Sequence, residues 1–376
     1  MTIKAEKWRS LDNFTKLLAF MPPFPLEWIV AKQKFESCKS LKFLLFWGIL
    51  MLALFLSNFI FVILFLAEIY GIGLLKFPTI MTSIVFLAVG VFVCLLELVT
   101  FSYSVNAAQA FNCLVILERQ IHRRTQSEKS TREKDIVEMF LSAVIVIFTS
   151  SLCIVPISGL YLRLFTIRIL CSKNILLRVL LLLICFPTLS AYLMFSCISY
   201  LARKADIIGF GGRAQVTQYL LKYSSCEIIL GLLQQFSSPC VSIFMFYGFI
   251  LTILYSFISL KMYHIVPMPL FLFFPTLAVF VPVIIQIMLP GLITIYEDST
   301  SLREKWGGVL HLRQDLRGVV RRQIRGKRSL SVYAGVAEHN FFKCKRSTMV
   351  TYYEAIVGYV ITALMSVDVY EISIEF

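Results

Sequence analysis

The sequence predicts an all-α membrane protein of seven transmembrane helices, with its N-terminus in the cytoplasm and its C-terminus extracellular. Three observations carry this expectation. Of 376 residues, 58% are hydrophobic and only 15% are charged, whereas soluble domains carry about 25% charged residues. Seven long apolar stretches run through the chain, at about 43–67, 79–101, 136–161, 175–200, 236–260, 269–296 and 353–367. The segments between them divide the basic residues unevenly: 30 Lys and Arg lie on one side of the spans and 6 on the other.

Each span follows from length. A hydrocarbon core of about 30 Å requires about 20 helical residues. The first six stretches meet that requirement, and the seventh is short. None alternates apolar and polar residues with period two, as a membrane strand would. Residues 1–42 are mixed and basic, unlike the short apolar core of a signal peptide. They carry eight Lys and Arg, against one in 68–78. The segment 297–352 carries twelve, and the tail beyond 367 none. Cytoplasmic loops concentrate basic residues, so 1–42 and 297–352 are expected inside and 368–376 outside. Asn13-Phe14-Thr15 fits a glycosylation acceptor, which would need the opposite side. Eight basic residues outweigh it.

The chain therefore divides into a cytoplasmic N-terminal segment 1–42, a six-helix bundle 43–296, a cytoplasmic helical segment 297–352, a short terminal helix 353–367 and an extracellular tail 368–376. The net charge of +14 is accounted for by this topology, with no nucleic acid implied. Within 297–352, Val309, Leu312, Leu316, Val319 and Val320 recur at helical spacing among Arg313, Arg317, Arg321 and Arg322. That pattern is an amphipathic helix. It would either lie on anionic headgroups or dock between subunits. Gly209-Phe210-Gly211-Gly212 reads as a turn, because it lacks the lysine and the following hydroxyl residue of a phosphate loop.

Catalytic constellations are missing from the sequence. Four His occur, none within an apolar span. No H-E-x-x-H and no G-x-S-x-G appears. No enzyme, cofactor or metal is implied. Ten scattered Cys form no C-x-x-C pair and read as small apolar residues. Glu97 is a rare acid within a span, where a charge is costly and a partner or a functional role is the default; snorkelling to the inner interface is the alternative. Pro275, Pro282 and Pro290 fall near one face of the sixth span, where proline can bend a helix.

The last span is the most informative. Glu354, Gly358, Ile361, Thr362 and Met365 share one helical face. A lipid-facing helix has no need of the acid or the hydroxyl. Around a symmetry axis, Glu354 would form an acidic ring favouring cations, and Ile361 and Met365 an apolar constriction. The alternative is packing within one subunit, with Glu354 paired to Arg346 or Lys345.

Phe341-Phe342-Lys343-Cys344-Lys345-Arg346-Ser347-Thr348, followed by a terminal apolar helix, resembles the end of arthropod gustatory receptors. That family ends in Thr-Tyr, five mostly apolar residues and Gln-Phe. Here the stretch is Gly358-Tyr359, Val360 to Leu364, and Met365-Ser366. Tyr359 and the apolar spacing match; Thr, Gln and Phe are replaced. The pattern is similar to a divergent member of the gustatory and odorant receptor superfamily. The resemblance implies a plasma-membrane, ligand-gated cation channel that is a homo- or hetero-tetramer in the lipid bilayer. In it the last helix lines a central pore, Met365 lies near the gate, and a small tastant or odorant binds in the outward half of each subunit. Pockets for such molecules are mostly apolar and aromatic. Candidates are Phe148 and Thr149 in the third span, Phe186 in the fourth, and Phe273 and Phe274 in the sixth. A seven-span G-protein-coupled receptor would place the N-terminus outside. A secondary transporter would show two similar halves, which this sequence lacks.

Protease added to sealed, right-side-out vesicles should leave both 1–42 and 297–352 intact. Cleavage within 297–352 would overturn the expected topology.

Overall fold

A computed structural model describes residues 12, 15–16, 26–37, 40–70, 77–122, 186, 189–264, 270–310, 317–336 and 339–366. The elements are β1 (Leu26–Ile29), β2 (Lys34–Ser37), α1 (Leu41–Ile69), α2 (Phe77–His122), α3 (189–203), α4 (Ile207–Phe210), α5 (Arg213–Lys261), α6 (Leu270–Leu310), α7 (Arg317–Gly326), β3 (Tyr333–Val336), β4 (His339–Lys343) and α8 (Arg346–Ser366). The third expected span, 136–161, and the tail 368–376 lie outside the described residues. So does the first half of the fourth span, apart from Phe186.

Among the described residues, four helices carry stretches long and apolar enough to cross a membrane: Ser83–Ile121, Arg213–Lys261, Phe274–Gly308 and Arg346–Ser366. A further apolar run, Leu45–Ile60, lies in α1. The backbone explains the helices. In lipid every peptide group must find its partner within its own segment. Much of α1 faces outward, with Ile49, Phe55 and Ile63 exposed, as suits contact with acyl chains.

Two helices run far beyond their apolar stretches. α2 has 46 residues and α5 has 49, so each spans about 70 Å at 1.5 Å per residue. Hydropathy marks only the part that crosses lipid. The segment read as a loop at 102–135 is therefore helical over 102–122, and α5 begins at Arg213, close to residue 214, where the sequence suggests a helix running into the fifth span. The terminal helix also differs from expectation. It begins at Arg346, not 353, and its 21 residues make it full-length. Its polar first turn conceals its start.

The sequence gives no sign of strands, but two antiparallel hairpins are present, β1–β2 and β3–β4. Each strand has only four or five residues, too few to leave a period-two signature. The first hairpin is fastened to α2 by Asn112, and Arg119 adds a longer bond to Gln33 Oε1 in its turn at 3.4 Å. The Asn112 amide donates to Phe35 O at 2.8 Å and accepts from Phe35 N at 3.0 Å, in the manner of a neighbouring strand. Phe35, Phe111, Phe186 and Phe236 interlock around this point, with ring centroids 4.8–5.3 Å apart. Asn58 joins α1 to α2 within the bundle. Its amide donates to Cys94 Sγ at 3.7 Å. Residue 90 must be glycine for this approach, because a Cβ there would collide with Asn58 Oδ1.

The helical segment after the sixth span is also subdivided. Val309 lies at the end of α6, and Val319 and Val320 lie on α7; Leu312 and Leu316 fall outside the described residues. On α7, Ile324 is buried while Arg321, Arg322 and Arg325 are exposed. The Gly209–Gly212 stretch forms the end of α4 and the turn into α5.

Asn112→Ala removes both bonds to the Phe35 backbone. Each partly buried group left unpaired costs about 1–3 kcal/mol. The variant should melt at a lower temperature in detergent and be cut faster within residues 26–37 by protease, whereas Gln109→Ala, at an exposed position of α2, should change neither.

Candidate functional site

α8 is the least enclosed of the four crossing helices. Only 6% of its apolar window is buried, against 33–44% in the others. Its exposed side is the face read from the sequence: Glu354, Gly358, Ile361, Thr362 and Met365 are all exposed, Met365 at 82%. Neither Lys345 nor Arg346 forms an ion pair with Glu354 among the described residues. Thr362 Oγ1 donates within the helix to Gly358 O at 2.9 Å, which satisfies the hydroxyl locally. The opposite side is packed. Ile356 is buried, and Tyr352, Tyr353, Val360, Ala363 and Leu364 are half-buried. Tyr359 is exposed, with its ring edge-on to Phe249 at 5.4 Å.

Two hydroxyls tie this packed side to the bundle. Tyr352 Oη donates to Met245 O of α5 at 3.0 Å, and Tyr353 Oη donates to Pro282 O of α6 at 3.1 Å. Sequence reading passes over both residues, because nothing in a Tyr-Tyr pair indicates the carbonyls it will reach. Gly248 permits the approach. A Cβ there would collide with Ile285 Cδ1 and would lie 3.2 Å from Tyr352 Oη.

The pocket candidates divide. Phe274, 1% exposed, belongs to a cluster with Val85, Leu251, Tyr255, Phe257, Ile258 and Met262. Ala363 and Leu364 of α8 pack against that same cluster, so Phe274 and the C-terminal end of α8 share one apolar region. Phe273 precedes it on α6. Phe186 lies elsewhere. It is held in the ring cluster with Phe35 of the first hairpin, at the end of the bundle where α1 begins, and is not beside Phe274. Its sequence position in mid-span does not reveal that the hairpin reaches it. Phe148 and Thr149 lie outside the described residues.

Glu97 is 3% exposed, and neither carboxyl oxygen has a hydrogen-bond partner among the described residues. It does not snorkel to the surface. Polar bonds secure the chain that leads to α8. Tyr223 Oη donates to Arg328 O at 2.7 Å, Ser299 Oγ to Leu330 O at 3.0 Å, and Lys327 Nζ bonds Ser224 Oγ and Glu227. Trp306 Nε1 donates to Tyr219 Oη, which donates to Leu201 O. Just before α8, burial pushes the Cys344 thiol up to about 12, which leaves it unreactive as a nucleophile. Among the described residues, no group of three His, Cys, Asp or Glu could hold a metal ion.

Glu97→Leu should raise the melting temperature of the purified protein, because it removes a buried carboxyl with no hydrogen bond to offset its burial. A fall, read by size exclusion after heating, would show that the carboxyl does have a partner.

The sequence matches no protein-family model and no curated protein. Solved structures do share its architecture. The chain resembles the insect olfactory receptor OR5 from Machilis hrabei in complex with eugenol, with a TM-score of 0.70 and 13% identity over 96% of this chain and 99% of that one. A second structure of that receptor gives a TM-score of 0.71 and 11% identity, over 96% and 98% of the two chains. This chain is a multi-pass helical membrane protein with the fold seen in that olfactory receptor.

Proposed function

We propose that the chain is a chemosensory receptor of the gustatory type, acting in the plasma membrane as a ligand-gated, non-selective cation channel. The observation that carries this reading is the exposed face of α8 on a chain with the chemoreceptor fold. An acid, a glycine and a hydroxyl lie on that face of a membrane helix, a composition poorly suited to lipid. Four copies around an axis, identical or mixed, would turn these faces towards one another. Glu354 would then attract cations at the cytoplasmic mouth, and Ile361 and Met365 would close the path by excluding water. The basic 1–42 and 297–352 segments support a cytoplasmic N-terminus.

The ligand is a small, largely apolar molecule bound in the outward half of the bundle. Phe274 is the pocket candidate best supported by its place beside the C-terminal end of α8, with Phe273, and Phe148 and Thr149 of the third span, as further candidates. Eugenol, the molecule in the OR5 complex, is a sensible first member of a test panel. A ligand in this region would act on Ala363 and Leu364 through the shared apolar cluster.

Whole-cell recording from expressed protein during a panel of volatile phenols, terpenes, sugars and alkaloids tests the reading. A cation current evoked by at least one compound is expected. Met365→Ser should raise the current in the absence of any compound, and Glu354→Gln should lower unitary cation conductance. Val360→Ala, on another face, should change neither. Cysteines placed at 358, 361, 362 and 365 should react with a water-soluble thiol reagent in the open state. Uniform protection of these positions, with current intact, would overturn the pore assignment.

A further inference from the structure

The geometry points to Tyr352 and Tyr353 as positioning residues through which α5 and α6 set the orientation of α8, with Tyr353 able to pass any bending of α6 at Pro282 to the ion path. This inference rests on the reading of α8 as the ion path. Its basis is the contrast between the two ends of that helix. Near its N-terminal end the attachment is polar and directional: Tyr352 Oη on Met245 O at 3.0 Å, and Tyr353 Oη on Pro282 O at 3.1 Å. Among the described residues, no other side chain of α8 makes a hydrogen bond to α5 or α6. At the C-terminal end the attachment is apolar, Ala363 and Leu364 against the Phe274 cluster. Apolar contact has no preferred direction, whereas a hydrogen bond weakens steeply as its angle departs from linearity. The N-terminal end is therefore the fixed point and the C-terminal end the adjustable one.

The carbonyl held by Tyr353 belongs to a residue with special mechanics. Pro282 has no N–H, so the α6 backbone lacks one hydrogen bond at that level, and a helix bends most easily there. Bending of α6 there would move Pro282 O, and Tyr353 with it. Gly248 completes the joint. With no Cβ, it lets Ile285 of α6 and Tyr352 of α8 meet over α5, so the three helices touch at one level. Phe249 adds an aromatic contact to Tyr352 on the same level, with centroids 6.4 Å apart.

The test uses assembled protein in liposomes carrying Met365→Cys, and reads the rate at which a membrane-impermeant methanethiosulfonate modifies the introduced thiol, corrected for the parent protein with native cysteines. This readout needs neither a known ligand nor a current. Tyr353→Phe should change the rate about threefold or more, the effect of losing one hydrogen bond within a bilayer. Pro282→Ala should change it by a similar factor. Combining the two should change it no more than the larger single effect, because both act through one joint. Tyr263→Phe, in the exposed turn after α5, should leave the rate unaltered. An unchanged rate for Tyr353→Phe, or additive effects with Pro282→Ala, would overturn the inference. Should Tyr353→Phe not assemble, Gly248→Ala must alter the modification rate by crowding Tyr352, and an unchanged rate there is equally fatal. Liposomes that show the expected modification rates but admit no sodium would overturn the channel reading and support the joint.

Discussion

The rest of the bundle is held against one helix. α5 runs unbroken for 49 residues, and along that length it packs against α2, α6, α8 and the second hairpin. Its N-terminal half buries Val216, Tyr219, Tyr223, Cys226, Leu230 and Leu233 on one stripe, and its C-terminal half buries Leu251, Tyr255 and Ile258. The first stripe receives Trp306 and the strand-bearing segment after α7. The second receives Phe274 and the C-terminal end of α8. Because a helix of this length transmits displacement with little compression, the two ends of the molecule share one rigid reference. Pro239 does not break it: its missing N–H falls within a helix enclosed by neighbours.

The crossing helices are legible because lipid imposes a length and an apolar composition that a sequence must display. The same rule explains what hydropathy misses. Residues 102–122 of α2 include Ser104, Asn106, Gln109, Asn112, Glu118 and Arg119, a mixture that reads as loop. They continue the helix because Ala107, Ala110, Phe111 and Leu114 still have a core to enter. Hairpins of four-residue strands carry too few positions for any period to emerge, and their stability comes from distant partners such as Asn112. Hydrogen bonds from a side chain to a remote carbonyl, such as those of Tyr352 and Tyr353, have no sequence signature at all.

The candidate site divides along the same line. The shared face of Glu354, Gly358, Ile361, Thr362 and Met365 follows from helical arithmetic on one segment, and that face is the open one in the fold. Phe274 and Phe186 cannot be sorted by arithmetic. Both are aromatic and both fall in apolar spans, yet one joins the cluster beside the end of α8 and the other closes over the first hairpin. Only tertiary contact separates them.

The openness of α8 carries a constraint of its own. In a lone copy Glu354 and Thr362 would stay on the outward side of the helix, together with Met365 and Ile361. Apolar side chains tolerate lipid there and the internally bonded Thr362 can do so, but a carboxylate within hydrocarbon cannot without a large cost. Retreat into the subunit is closed to Glu354, since the opposite face of α8 is already filled by Ile356, Tyr352 and Tyr353. Glu97 shows the contrasting arrangement: it is enclosed within the bundle, whereas Glu354 lies on the exposed face of α8. For Glu354, the proposed axis shared with other copies would relieve the carboxylate and would also give the apolar residues further along the helix a surface to meet. The same packed side that denies Glu354 a place within its own subunit leaves it on the exposed face of α8, where the proposed ion path would hydrate it.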